Sequence, residues 1–239
     1  MKVLITSAAS ELARKLVAAA SKSHTIRLTE LQPIDSANLH GCEFVQSALG
    51  HDESTNELVK GIDAIVHIAE VPSDLVANAD QPENFEIDYQ TRCTYNLLMA
   101  ASAEGVQHFI YASTLRLFEQ HSEDWTVKEN WRPRPSTDSF VLAKHLGEFT
   151  CREFAREGKI QVTCLRLGTI TTAEEAAEAE FNAMWLEIND AVAAFQGAID
   201  APSKWGIFHV QSDFSGSRFN IGKAKGHLKF NPQFVPTTK

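Results

Sequence analysis

Short apolar runs alternate along the chain with longer stretches of helical period. "KVLI", "TIRLT", "EFVQ", "DAIVHIA", "HFIYAS" and "IQVTCLRL" are β-rich and mostly continuously apolar. Between or after them, residues 9 to 21, "DESTNELVKG", 83 to 104, 138 to 157 and about 173 to 200 carry apolar positions at helical spacing. Continuously apolar strands, each followed by a helix, predict a parallel sheet covered on both faces, which is a doubly wound α/β fold. Such a sheet binds ligands beyond the carboxyl ends of its strands, where the strand order reverses. The stretches "TSAAS", "ELQP", "IAEV", "STLR" and "GTIT" are therefore expected to converge on one crevice.

No Pro/Gly/Ser-rich linker divides the 239 residues and no repeat recurs, so the expectation is a single domain over 1–239, with about 168–239 as a small substrate-side part. The biased segment "AEEAAEAE", at 173 to 180, has the composition of a solvated helix. A formal charge of -9, with Lys and Arg scattered among the acids, provides no basic patch for nucleic acid or an anionic membrane. The opening apolar run is too short for a signal-peptide core or a membrane span, which makes a cytoplasmic location the expectation. Cys42, Cys93, Cys151 and Cys164 form no C-x-x-C pair and read as free thiols. None of the nine histidines forms an H-E-x-x-H pair, so no metal is expected, and His67, inside an apolar strand, reads as structural.

Several of these stretches together resemble the extended branch of the short-chain dehydrogenase/reductase superfamily, the NAD-dependent epimerase/dehydratase group. "DAIVHIAEV" is similar to that group's fourth strand, "YNLLMAA" to the following helix, and "FIYAST" to the fifth strand with its catalytic hydroxyl. "FVLAKHLGE" is similar to its Y-x-x-x-K helix and "CLRLGTI" to its sixth strand. "RLTELQPID", "WGIFHVQSD" and "HLKFNPQ" bring it nearest to uronate dehydrogenases. The resemblance implies a Rossmann-like fold, NAD as cofactor, a sugar-type small molecule as substrate, and a homodimer through helices 83–104 and 138–157.

The resemblance also locates the site. It assigns cofactor contacts to Ser7, Ser10, Leu12 and Ala13 in the first turn, to Glu30 after the second strand, to Ala69 after the fourth, and to Lys144. It assigns catalysis to Thr114, Lys144 and position 140. At several of these positions the chain departs from the pattern. The family turn is T-G-x-x-G-x-x-G, and Ser7, Ser10 and Ala13 stand at its glycines. A Cβ penalises positive φ and takes space a phosphate would use, although a helix N-terminus attracts anions without glycine. The alternative is an ordinary turn with Ser7 or Ser10 as N-cap.

Phe140 stands where the family's proton-transferring tyrosine would be, four residues before Lys144. Glu30 suits a ribose hydroxyl pair or merely caps a loop. Ala48 stands where an adenine-binding aspartate is usual, Glu70 brings charge towards the phosphates, and Glu180 aligns where an arginine would grip a uronate carboxylate. Lys144 reaches either a cofactor ribose or a local partner, and Thr114 orients substrate or satisfies backbone. His121 and His145 are the residues near the crevice that offer a substitute base. Two readings follow: a catalytically impaired relative with a binding or regulatory role, or an active NAD-dependent oxidoreductase or epimerase with a rebuilt site. The first accounts for all the departures together.

Overall fold

In the computed structural model, which describes residues 1–35 and 41–235, the opening run forms strand β1 (Lys2–Ile5) and feeds helix α1 (Glu11–Ala20). Leu12, Ala13, Leu16, Val17 and Ala20 recur at helical spacing and are buried, so α1 lies with one stripe against the sheet. Each buried leucine or valine side chain in that stripe contributes about 1.5–3 kcal/mol.

The chain continues through β2 (Thr25–Glu30), β3 (Glu43–Gln46), α2 (Glu53–Val59), β4 (Ala64–His67), α3 (Ser73–Ala77) and α4 (Pro82–Ala103). It then runs through β5 (His108–Thr114), a 3-10 turn (Leu115–Phe118), α5 (Ser139–Arg156) and β6 (Gln161–Leu167). The last part comprises β7 (Thr169–Thr171), α6 (Ala173–Glu178), β8 (Trp185–Glu187), α7 (Ile188–Asp200), β9 (Trp205–Val210) and α8 (Gly222–His227). The loop between β2 and β3 lies partly outside the described residues.

Seven strands form one parallel sheet in the order β3-β2-β1-β4-β5-β6-β9. One core cluster joins α1 and α7 to one face of the sheet, and a second joins α2, α4 and α5 to the other. This is the doubly wound, Rossmann-like α/β fold that the alternating pattern predicts. The order reverses between β1 and β4, so Thr6 and Ser7 face Ile68, Ala69 and Glu70 across the switch point.

Strands β7 and β9 and the short helices α3 and α8 lie outside the predicted runs, and one expected helix is divided. The single helix expected over about 173–200 is two helices separated by β8. Thr172 and Glu175 form a reciprocal capping box that starts α6, and the helix ends at Glu178, within the Ala/Glu run. Trp185, Leu186 and Glu187 then pair with β7, and the Glu187 carboxylate caps α7 through the Asn189 and Asp190 N–H groups. The apolar side chains of β8 outweigh the helical propensity of the preceding run.

Candidate functional site

The five predicted stretches do converge, on two adjoining hollows that share Glu70. The first is lined by Ser7, Ala9, Ser10, Glu11, Glu30, Glu70, Pro72 and Asp74. The second, about 360 Å³, is walled by Leu12, Ile68, Ala112, Phe140, Leu167 and Ile170 and carries Ser113, Thr114, Arg116 and Lys144.

The first hollow is built by the turn after β1. Ser7 has φ +55°, the left-handed conformation that favours glycine, and it is buried. Its hydroxyl donates to the Glu70 carbonyl at 2.9 Å and accepts from the Glu70 N–H at 3.0 Å. These two bonds tie the turn after β1 to the turn after β4. Ser10 is the N-cap of α1, its Oγ accepting from the Ala13 N–H at 3.2 Å.

The surrounding backbone donors are also engaged. Ala8 N–H reaches the Thr29 carbonyl, Ser10 N–H the Ser7 carbonyl, and Ala9 N–H the Glu30 carboxylate at 3.0 Å. Glu30 takes a second bond from the Leu31 N–H at 2.8 Å. Burial raises its pKa above the usual carboxylate range, against those two N–H bonds, and Glu70 and Asp74 raise it further. Glu70 is also raised, by desolvation from the protein around its carboxyl although the residue stays accessible from the rim, with Lys144 opposing. The hollow thus presents four carboxylates, from Glu11, Glu30, Glu70 and Asp74, and no cation in its lining.

The second hollow is organised by α5. Gly147 lies so close to the Tyr111 hydroxyl that any side chain there would collide, and this contact seats α5 against β5. One turn earlier, Lys144 is only 4% exposed. Its Nζ donates to the Ile68 carbonyl at 2.7 Å and the Ala69 carbonyl at 2.9 Å, and stands 5.5 Å from the Tyr111 ring centre and 5.6 Å from that of Phe140. Ala69, at φ +51°, turns the chain at this point. Burial lowers the Lys144 pKa to about 7, against the attraction of Glu70, Glu86 and Cys151.

Thr114 ends β5 at the cavity wall, and its Oγ1 accepts from the Arg116 N–H at 3.2 Å. Arg116 pairs with Glu119 and, at 3.6 Å, with Asp138, its guanidinium 5.7 Å from the Phe140 ring centre. Ser113 donates to Glu148 at 2.8 Å, and the buried Glu148 carboxylate takes two bonds from Arg166, at 3.0 and 2.5 Å. This ion pair joins α5 to β6 behind the cavity.

Of the predicted site residues, Ser7, Ser10, Glu30 and Glu70 meet in the first hollow, and Leu12, Thr114, Phe140 and Lys144 in the second. Ala13 is packed into the core and Ala69 underlies the Lys144 amine. Ala48 is exposed and belongs to neither hollow, and its carbonyl accepts from the Cys93 thiol. Glu180 is exposed and also lines neither. His121 bonds the Arg132 carbonyl within a cluster of Trp125, Trp131 and Phe118, and His145 is outside the cavity lining, so neither stands where the missing tyrosine would act.

His67 is structural. The Ile68 N–H donates to Thr6 Oγ1, whose hydroxyl is then left to donate to His67 Nδ1, while Nε2–H donates to Thr94 Oγ1. The ring is neutral, its pKa lowered to about 3 by burial and then by Lys144. Among the described residues no group of three or more His, Cys, Asp or Glu is placed to hold a metal, and no helix is long and apolar enough to cross a membrane. Arg116 and the Glu148–Arg166 pair fall outside the motifs singled out in the sequence. An arginine inside the apolar run "CLRLGTI" was the available signal, because a charge in a buried strand needs a partner.

A parallel sheet with a strand-to-helix turn at its switch point, a hydroxyl ending β5 and a helix lysine beside it defines the architecture of the short-chain dehydrogenase/reductases. Residues 3–202 match the NAD dependent epimerase/dehydratase family, and the chain belongs to it. It is 26% identical over 222 residues to an L-arabinose 1-dehydrogenase (NAD(P)(+)) of Haloferax volcanii, covering 84% of this chain and 83% of the relative. Among solved structures, a mutated uronate dehydrogenase superposes with a TM-score of 0.81 at 22% identity, over 98% of this chain and 82% of the other. A short-chain dehydrogenase/reductase superfamily protein from Agrobacterium tumefaciens, with bound NAD, superposes with a TM-score of 0.79 at 19% identity, over 98% and 93%.

Proposed function

We propose that this chain is a catalytically impaired member of its family, which binds a small molecule in the apolar cavity and does not perform hydride transfer. The observation that carries this reading is the state of the turn after β1. The residues there do not fit a dinucleotide: Ser7 holds the Glu70 backbone, Ser10 caps the helix, and the Glu30 carboxylate takes the Ala9 N–H. A pyrophosphate would have to displace these bonds and settle among four carboxylates with no cation in the lining. Phe140 supports the same reading, since it has no proton to transfer and losing a positioned acid/base costs about 10²–10⁴-fold in rate.

The alternative is an active NAD-dependent oxidoreductase or epimerase acting on a sugar or uronate. It is favoured by Glu30, which ends β2 where a ribose-binding acid would stand, and by the activities named for the relatives. Calorimetric titration with NAD and NADP separates the two. The first reading expects no saturable heat with either nucleotide into the millimolar range. Saturable micromolar binding of NAD would overturn the reading of the turn and favour the second.

A homodimer through α4 and α5 belongs to the same proposal. Tyr95 and Met99 on α4 and Leu146 and Phe149 on α5 remain exposed on two helices that pack together, whereas Phe140 and Phe154 are partly or wholly covered within the chain. Light scattering coupled to size exclusion should give twice the chain mass, and Phe149→Asp should return the monomer. A monomeric wild type would remove this part of the proposal.

A further inference from the structure

We infer that Lys144 is a nucleophilic amine that condenses reversibly with a small aldehyde or ketone held in the apolar cavity. This rests on the reading that no dinucleotide occupies the crevice. A neutral primary amine has two hydrogens and one lone pair, and Lys144 Nζ has two backbone carbonyl acceptors, from Ile68 at 2.7 Å and Ala69 at 2.9 Å. With both hydrogens engaged, the lone pair is the remaining tetrahedral position, on a nitrogen whose side chain lines the 360 Å³ cavity.

The surroundings pull the amine towards its neutral form. The two rings nearest Nζ belong to Phe140 and to the buried Tyr111, whose hydroxyl has no hydrogen-bond partner among the described residues. With phenylalanine at 140, no phenolate forms there to stabilise an ammonium. The ionisable groups facing it are Glu70 beyond β4, Glu86 on α4, Cys151 on α5 and the neutral His67 on β4. Burial outweighs the attraction of the two carboxylates and sets the pKa to about 7, so roughly half of the amine is free base at neutral pH.

The cavity also supplies what a carbonyl compound needs. Its walls, from Leu12, Ile68, Ala112, Leu167 and Ile170, suit an aliphatic body. The Thr114 hydroxyl, which accepts from the Arg116 N–H, keeps its own hydrogen for a carbonyl oxygen. The lone pair attacks the carbonyl carbon, the C–N bond forms, and the π pair moves to oxygen. That oxygen gains a proton as nitrogen loses one, giving a carbinolamine. Loss of the hydroxyl with the second nitrogen hydrogen, as water, leaves the imine, and no oxidant or reductant is consumed.

The test is reductive trapping of the full chain with butanal and sodium cyanoborohydride at pH 7, followed by intact-mass measurement and peptide mapping, with and without NAD. An exposed lysine, with a pKa of about 10.4, has about a thousandfold less free base at this pH, so Lys144 should be labelled at least tenfold faster than surface lysines. The rate at Lys144 should rise through a midpoint near pH 7, and Phe140→Tyr should slow it. Labelling spread evenly over surface lysines, or a Lys144 peptide left unmodified, would overturn the inference. If Lys144 is unlabelled and NAD does not bind in calorimetry, the inference alone fails. If NAD binds and shields Lys144, the reading that the crevice does not fit a dinucleotide fails with it.

Discussion

Replacing Lys144 by methionine tests whether the buried amine is held near neutrality. In the fold its pKa is about 7, against about 10.5 for a free lysine side chain. Between those values the unfolded chain binds a proton that the folded chain does not. The penalty for burying the ammonium is therefore fully present at low pH and disappears as pH rises towards 10.5. From pH 7 to pH 9 this one group should add ~2 kcal/mol to the wild-type unfolding free energy. Cysteines whose thiols are raised by burial, such as Cys93 and Cys164, pull the other way near pH 9, but they remain in the variant and cancel in the comparison.

The assay is urea unfolding followed by fluorescence of the four tryptophans, at pH 7, 8 and 9, for wild type and Lys144→Met. The stability of the wild type relative to the variant should increase by ~2 kcal/mol across the series, whatever the methionine does to packing or to the orphaned Ile68 and Ala69 carbonyls. The pair should also be measured in a Glu70→Gln background, because the Glu70 carboxylate raises the lysine pKa and the ammonium lowers that of the glutamic acid. A difference between wild type and variant that stays constant with pH would refute the reasoning, and with it the neutral amine.

Glu148→Ala should destabilise the fold by ~3–5 kcal/mol in urea unfolding, because it leaves the 2%-exposed Arg166 guanidinium without its counter-ion. Ser10→Ala removes the cap of α1 and should lower stability by about 1 kcal/mol, whereas Ser10→Gly should cost only a few tenths. Ser7→Gly combined with Ser10→Gly should still show no calorimetric NAD binding at roughly 1 mM, because the carboxylates of Glu30, Glu70 and Asp74 remain. Binding after those two changes alone would show that the serines, and not the acids, exclude the nucleotide.

The strand-and-helix alternation was legible over most of residues 1 to 172 because the central strands β1, β2, β4, β5 and β6 are buried along nearly their whole length and several helices start at a capping residue. Asp52 before α2 and Asp138 before α5 are such caps, each accepting an N–H three residues on. It failed over 173–200 because β8 is three residues long, too short for any period to register. At the site, the positions of Ser7, Glu30, Thr114 and Lys144 followed from the order of the motifs. Their hydrogen bonds did not, because each partner comes from a distant part of the chain: Ser7 from Glu70, Lys144 from Ile68 and Ala69, and Glu148 from Arg166.

The departures in the two hollows form a physical sequence through Glu70 and Lys144. With Phe140 in place of a phenol, position 140 offers the lysine no acidic partner, and its amine donates to the Ile68 and Ala69 carbonyls in the turn after β4. The same turn continues into Glu70, whose backbone is fastened to Ser7, so the chain segment that holds the amine also closes the turn after β1. A glycine at position 7 would release that fastening, and a tyrosine at 140 would give the lysine a reason to stay charged. Because the intervening Ala69 is held at positive φ between the two contacts, either reversion alone leaves the other contact to keep the segment in place. Restoring one motif should therefore recover only part of the effect, and Phe140→Tyr together with Ser7→Gly should move the Lys144 pKa upward by more than the sum of the single changes, as read from the pH dependence of its labelling.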